Sequence, residues 1–412
     1  MLEDFFIVPA AAQRLRACTL GVHLDGFCAE LVDLGYRRAT IRHKLWVASC
    51  LARWMAGKHL AVVDLDEARI EKFLSARRRR GRTCRGFRGT LRLLLDRLRA
   101  TAIVPARAAR SDASSTSILL ARYEEYLRSE RRLAEWTIAG YLPFVRSYAT
   151  EHLDGRGPES LRHEGVRDFL LARVRLMASK RAQLMGTAIR SFLRFLFLRH
   201  ETETDLSLSV PTVRQWRLST VPRHLPAREV KQLLRACDRS SATGRRDHAI
   251  LLLLAELGLR AREIVALELD DVRWREGELV VRGKGRVRDR LPLTPNVGKA
   301  LALYLRKDRP TCSSRRFFLC RRAPHRGFGH SSSVSTIVAR AIDRAGLTPP
   351  TRGAHLLRHS LATTMVRRGA SLAEIGQVLR HRSPNTTEIY AKLDFGALRD
   401  VAMPWPANRG AR

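Results

Sequence analysis

Between residues 355 and 390 the chain places a set of side chains that could act together on a phosphate. His355-Leu356-Leu357-Arg358-His359 opens the stretch, His381 lies near its middle, and Tyr390 follows nine residues later. His355 and Arg358 are three residues apart, so on a helix they share one face. A guanidinium can clamp a phosphate, an imidazole can carry a proton, and a phenol can attack phosphorus. The flanking residues predict the elements that hold them. Leu357, Leu361 and Met365 form an apolar stripe ended by Gly369, as expected of one helix. Ser371-Leu372-Ala373-Glu374 is a capping-box pattern for a second, running through Ile375, Val378 and Leu379 to His381. Ser383-Pro384 reads as an N-cap followed by proline at the first helical position, starting a short helix that carries Tyr390.

Further cations stand upstream. Asp247–Leu257 is a strongly apolar helix candidate ending at Gly258, and Arg260 and Glu263 come directly after it. Alone, Arg260 reads as a helix-end cation. The ordered set Arg260, Lys284, His355, Arg358, His381, Tyr390 favours a shared site. Lys284 sits between two glycines, in a chain where only nine of 76 basic residues are lysine. Val272–Trp274, Glu278–Val281 and Val287–Leu293 resemble short strands. Arg282, Lys284, Arg286, Arg288 and Arg290 alternate there, which lines five cations along one side of a hairpin. His359, Tyr148 and Tyr304 are read as structural, His359 as lying off the His355/Arg358 face. Asp270, Asp271 and Glu276 lack a third carboxylate at metal-binding spacing and are read as loop acids. No metal site and no cofactor is expected.

The 412 residues carry 76 Lys plus Arg against 40 Asp plus Glu, a net charge of +36. Such an excess repels itself in a compact fold unless a polyanion neutralises it, so the expected partner is nucleic acid. At 45% hydrophobic the chain is globular. Its seven cysteines form no CxxC pair and no zinc spacing, and are expected to be reduced thiols in a cytoplasmic protein. The longest apolar run, Ala249 to Ala255, is too short to span a bilayer, and no signal peptide is expected.

Residues 1–110 read as helical, and their pattern returns in 114–203. Thr40-Ile41 with Leu45 matches Thr137-Ile138 with Leu142, and Gly89-Thr90 matches Gly186-Thr187, both offset by 97. Leu65, Ile70, Phe73-Leu74 and Ala76-Arg77 match Leu161, Val166, Phe169-Leu170 and Ala172-Arg173, offset by 96. Three blocks in order predict a duplicated helical module. A linker is expected over 204–220 and a final domain over 221–412. Within the first module, Arg77, Arg78, Arg79, Arg80 and Arg82 form a basic run, expected to hold a nucleic-acid backbone rather than read sequence.

The set Arg260, Lys284, His355-x-x-Arg358, His381, Tyr390 resembles that of the tyrosine recombinases of the phage integrase class. The resemblance covers about the last 190 residues with motifs, and 114–200 is similar to the family's core-binding domain. It implies a mainly α fold: helical, SAM-like core-binding modules followed by an α+β catalytic domain with a small antiparallel sheet. It also implies that Tyr390 is the nucleophile, that Arg260 and Arg358 grip the phosphate, and that Lys284 lies on the β-hairpin. Glu263 matches a supporting acid, and Thr386-Thr387 stand where the family usually has them. The implied partners are double-stranded recombination sites, held by a homotetramer or with related recombinases. The segment Leu393–Trp405 would dock on a neighbouring subunit. Two departures are Arg380, where the family commonly has glycine, and Arg262, where a small residue is usual; neither is expected to touch the chemistry. The rivals are a type IB topoisomerase and an accessory protein that binds DNA without cutting. The first would relax supercoiled DNA lacking any specific site; the second would form no covalent adduct.

Overall fold

A computed structural model describes residues 2–6, 9–81, 86–105, 114–153, 156–212, 221–283, 288–394 and 398–399. The chain divides into two compact units, one of Met1–Ala106 with Thr220–Arg412 and one of Arg107–Ser219. No helix among the described residues is long and apolar enough to cross a membrane.

The second unit is a helical module of Ser115–Ser129, Glu135–His152, His163–Val174 and Ser179–Leu198, with a 3-10 turn at Pro158–Ser160. Ser114 caps the first helix by accepting from the Ser117 amide at 3.2 Å. The core gathers Tyr123, Tyr148, Phe169, Phe192 and Phe195. Leu206 and Val210 belong to that core, and Leu206–Ser209 forms a 3-10 turn packed on the last helix. The expected linker therefore begins too early: its first residues are module. Leu206 and Val210, four apart, supply the anchors that the surrounding polar residues conceal. Residues 213–220 lie outside the described residues.

In the first unit, residues 2–105 repeat this order: Gly21–Asp33, Arg38–Ala56, a 3-10 turn at Val62–Asp64, Glu67–Arg79 and Phe87–Ala100, preceded by Pro9–Arg16. The matched positions are buried in both modules: Ile41 and Ile138, Leu65 and Leu161, Ile70 and Val166, Phe73 and Phe169, Leu74 and Leu170.

The rest of that unit packs around the helix Ala242–Ala255. Ile250, Leu251, Leu253 and Leu254 are all fully buried, so this helix is apolar all round and central. Against it lie Pro295–Lys307 and His355–Arg367. The strands Val272–Arg273 (β1), Glu278–Arg282 (β2) and Arg288–Pro292 (β3) form an antiparallel sheet in the order β1-β2-β3. Val281 pairs with Asp289 and Arg282 with Arg288. The tip that joins β2 to β3, with Lys284 and Arg286, lies outside the described residues, as do Arg82 and the end of the Leu393–Trp405 segment.

Candidate active site

The predicted supports for the site form. The helix His355–Arg367 is followed by Leu372–Val378, whose Ser371 Oγ accepts from the Glu374 amide at 3.2 Å while the Glu374 carboxylate accepts from the Ser371 amide at 2.8 Å. The tyrosine segment differs from expectation: it is two 3-10 turns, Pro384–Thr386 and Glu388–Leu393, and the Ser383 side chain makes no cap. Such turns carry poorer hydrogen bonds than an α-helix, and this one rests instead on Tyr390 and Leu393, packed with Ala362, Val366, Ile375 and Leu379.

Tyr390 is 1% exposed. Its hydroxyl lies 2.7 Å from His359 Nδ1, and the two are hydrogen-bonded. Burial pushes the phenol up to about 12, although the Arg358 and Arg260 charges pull the other way. The His381 ring is parallel to the Tyr390 ring, with centroids 6.5 Å apart, and its Nδ1 is 2.7 Å from the Thr387 hydroxyl. Burial, with Arg358, Arg260 and Arg380 around it, lowers His381 to about 4, so it is neutral at pH 7. His355 is exposed on the first turn of its helix, its ring centroid 6.2 Å from that of His359. His359, expected to be structural and to lie off the His355/Arg358 face, instead touches the Tyr390 hydroxyl; it follows His355 by four residues, which keeps both on one helix face.

Arg358 is 3% exposed. It donates to the carbonyls of Gly258 and Leu379, which ties the Gly258 turn to the end of the Leu372–Val378 helix. Burial and the nearby charges of Arg260 and Arg380 lower it to about 10, still cationic at neutral pH. Gly258 adopts φ +59, and a Cβ there would meet Leu379 Cδ2 at 2.7 Å, so a side chain at this turn would be strained and would push Leu379 aside.

Arg260 stands just ahead of the helix Ala261–Ala266. Its backbone amide donates to Glu263 Oε2 and its Nη1 to Oε1, both at 2.8 Å. Glu263 also receives Arg380 Nη2 at 2.8 Å, and the two side chains of that pair are both 6% exposed. Burial alone would raise the Glu263 carboxyl; the Arg380 charge and the bonds from Arg260 hold it below its ordinary value.

Arg380, one of the two departures, is joined to these groups. Its carbonyl accepts from Arg260 Nη2 at 3.4 Å, and its guanidinium shares the carboxylate that orients Arg260. Its φ of +55 lies in the left-handed region, which glycine adopts without strain. Arg380 keeps the strained conformation and adds a third guanidinium beside Arg260 and Arg358.

On the hairpin, Arg282 is neutralised by Glu268 at 2.6 Å and Asp271 at 2.9 Å. Arg288, directly opposite, is exposed and makes no ion pair among the described residues. Asp270 pairs with Arg315, so these acids serve arginines. No group of three or more His, Cys, Asp or Glu among the described residues could hold a metal. Tyr304 and Tyr148 are core residues, each under 3% exposed, as expected.

Residues 223–396 match the Phage integrase family, and residues 120–200 match the phage integrase N-terminal SAM-like domain. The putative integrase/recombinase y4rA of Sinorhizobium fredii is 40% identical over 99% of this chain and 100% of its own length. Tyrosine recombinase XerD of Mycobacterium tuberculosis is 31% identical over 69% of this chain and 96% of its own. Among solved structures, XerH bound to palindromic difH substrate shares the fold at a TM-score of 0.54 and 19% identity, covering 68% of this chain and 83% of its own. A lambda integrase dimer bound to a COC' core site does so at 0.51 and 18%, covering 70% and 97%. With its charged cluster around a buried tyrosine and a 40% identical recombinase relative along 99% of its length, the chain belongs to the phage integrase family of tyrosine recombinases, enzymes that break and rejoin DNA.

Proposed function

We propose that this recombinase cuts one DNA strand at a time through a 3′-phosphotyrosine at Tyr390. The observation that carries the reading is the phenol seated on His359 between Arg358, Arg260 and a neutral His381. The Tyr390 oxygen attacks the phosphorus and its proton passes to an imidazole; His359 is the one in contact, and His355 lies one turn away on the same face. As the bond to the 5′-oxygen breaks, Lys284 protonates the leaving oxygen. Arg260 and Arg358 offer forked donors to the non-bridging oxygens, where negative charge grows. The phosphotyrosyl ester keeps the bond energy, so a 5′-hydroxyl can rejoin it without ATP. The guanidiniums supply the charge that a divalent ion supplies elsewhere, and the Glu263 carboxylate beside them is already taken by Arg260 and Arg380.

The same reading assigns residues 1–110 and 114–203 as two copies of a core-binding module, and 221–412 as the catalytic domain. It places the protein in the cytoplasm, as the recombinase of a mobile element working on double-stranded sites. A related lambda integrase has been solved as a tetramer bound to a Holliday junction, and the proposed assembly is likewise a tetramer, of this chain or with related recombinases. Arg77, Arg78, Arg79, Arg80, Arg82, Arg286 and Arg288 hold the DNA backbone, whereas Arg282 is bound to Asp271 and Glu268 and contributes least.

A nicked suicide substrate incubated with the protein in EDTA and without ATP should accumulate a covalent adduct whose DNA-bearing peptide contains Tyr390. An absolute need for magnesium, or attachment through another residue, would overturn the reading. Lys284→Ala should slow cleavage of ordinary DNA by about 10²–10⁴-fold, as loss of a general acid does. A 5′-thiol leaving group, which hardly needs a proton, should restore it, and failure to do so would remove Lys284 from that role.

A further inference from the structure

The first helical module contains a cleft of about 410 Å³ lined by Trp46, Cys50, Arg53, Trp54, Phe73, Ala76, Arg77 and Arg80. Its cations have no carboxylate partner: Arg53, Arg77 and Arg80 make no ion pair among the described residues. Arginines elsewhere in the same module do, with Arg88 on Glu71, Arg97 on Glu30 and Arg99 on Glu67. Arg77 lies 4.6 Å from the Phe87 ring centroid and 5.9 Å from those of Trp46 and Phe73, and its Nε is buried without a hydrogen-bond partner. Trp46, at the mouth, is 45% exposed.

The second module shows what this place looks like when it is closed. At the offset of 96, Phe73 and Arg77 correspond to Phe169 and Arg173, and Arg173 again lies over its ring, 3.9 Å from the centroid. There the guanidinium is bound by Glu151 at 2.5 Å. At the offset of 97, the position of Glu151 is held in the first module by Trp54, and Pro143 is replaced by Trp46. One module thus neutralises its stacked arginine internally. The other has lost the carboxylate, gained two indoles and left the charge open.

We propose that this cleft binds one unstacked nucleotide of a DNA strand, the base against Trp46 and the phosphate on Arg53, Arg77 and Arg80. A flat aromatic surface beside unpaired guanidiniums is what single-stranded nucleic acid requires, since every base has a π-face and every nucleotide a negative charge. A duplex backbone would use the arginines and leave both indoles idle. The volume suits a single nucleotide, and pockets for small ligands start at about 300 Å³. The proposal rests on the reading that this protein works on DNA, and it adds a place to hold a strand freed from pairing.

The test uses the full-length protein and a ten-residue oligothymidylate carrying one 5-bromouracil, at a salt concentration that weakens non-specific phosphate contacts. Irradiation should crosslink the oligonucleotide to the peptide containing Trp46 or Trp54. Trp46→Ala and Arg77→Gln should each weaken binding of the oligonucleotide about tenfold or more, with melting temperatures checked first, while Trp46→Ala leaves binding to a blunt 20-base-pair duplex within about twofold. Crosslinks found only elsewhere overturn the proposal, as do variants that bind the oligonucleotide like the unaltered chain. An equal loss of duplex and single-strand binding by Trp46→Ala also overturns it, because the cleft would then serve the backbone alone. Adduct formation by the unaltered chain on the suicide substrate reports the catalytic reading separately: an adduct with no effect of Trp46→Ala sinks only the cleft, and the reverse pair of results sinks only the Tyr390 mechanism.

Discussion

A Tyr390→Phe chain should form no covalent adduct on a nicked suicide substrate, a loss of at least about 10⁴-fold, while binding the same DNA as the unaltered chain does. Removing the attacking atom itself leaves only the charge around the phosphate, which cannot form the ester. The fold should survive. The ring keeps its packing against Ala362, Val366, Ile375, Leu379 and Leu393, and one hydrogen bond to His359 is lost, worth about 1 kcal/mol. Retained binding separates a missing nucleophile from a collapsed domain. Adduct formed by the variant at another residue would remove Tyr390 from the reaction.

The geometry around Tyr390 adds a requirement. Tyr390 is 1% exposed and its hydroxyl rests on His359, so the proposed attack requires the phenol to become accessible. On the proposed mechanism, the two 3-10 turns that carry it are the elements that would have to move. Burial is what holds the phenol at about 12, against the pull of the Arg358 and Arg260 charges, so a move out of the core would favour its ionisation.

Much of the site was legible from spacing because its parts are local. His355 with Arg358, the Ser371–Glu374 cap and the Gly258 stop before Arg260 each depend on residues within one or two turns, where periodicity and capping chemistry decide the outcome. Most of the differences involve contacts that local pattern does not report. Arg380 looked incidental because its partner Glu263 lies 117 residues earlier. The five alternating hairpin cations looked equivalent, yet Asp271 and Glu268 reach Arg282 from outside the hairpin and neutralise it. Residues 204–210 looked like a linker because two buried side chains among polar ones make no visible period. His359 is the exception, since its place four residues after His355 is itself a local signal.

Glu263→Gln should destabilise the protein by about 3–5 kcal/mol, the range for breaking a buried ion pair from one side, measured by denaturant unfolding with an unchanged slope. The carboxylate is the anion that both Arg260 and Arg380 touch, and Arg358 adds a third guanidinium close by. The amide keeps the shape and removes the charge, so three cations repel one another in a half-buried site. The pH dependence follows from the lowered carboxyl. Its contribution is complete above the ordinary glutamate value of 4.5 and is lost as the pH falls through the folded value, so the variant should lack that part of the acid limb. Arg380 supplies the control. Arg380→Gly relieves a φ of +55, a strain of about 1–2 kcal/mol, and removes one of the crowded charges. The double variant Glu263→Gln/Arg380→Gly should therefore be more stable than Glu263→Gln alone, with a coupling of about 1–3 kcal/mol, as for residues in contact. Additive effects would mean that Glu263 and Arg380 are neighbours without being a pair, and that Arg260 is oriented by something other than their shared carboxylate.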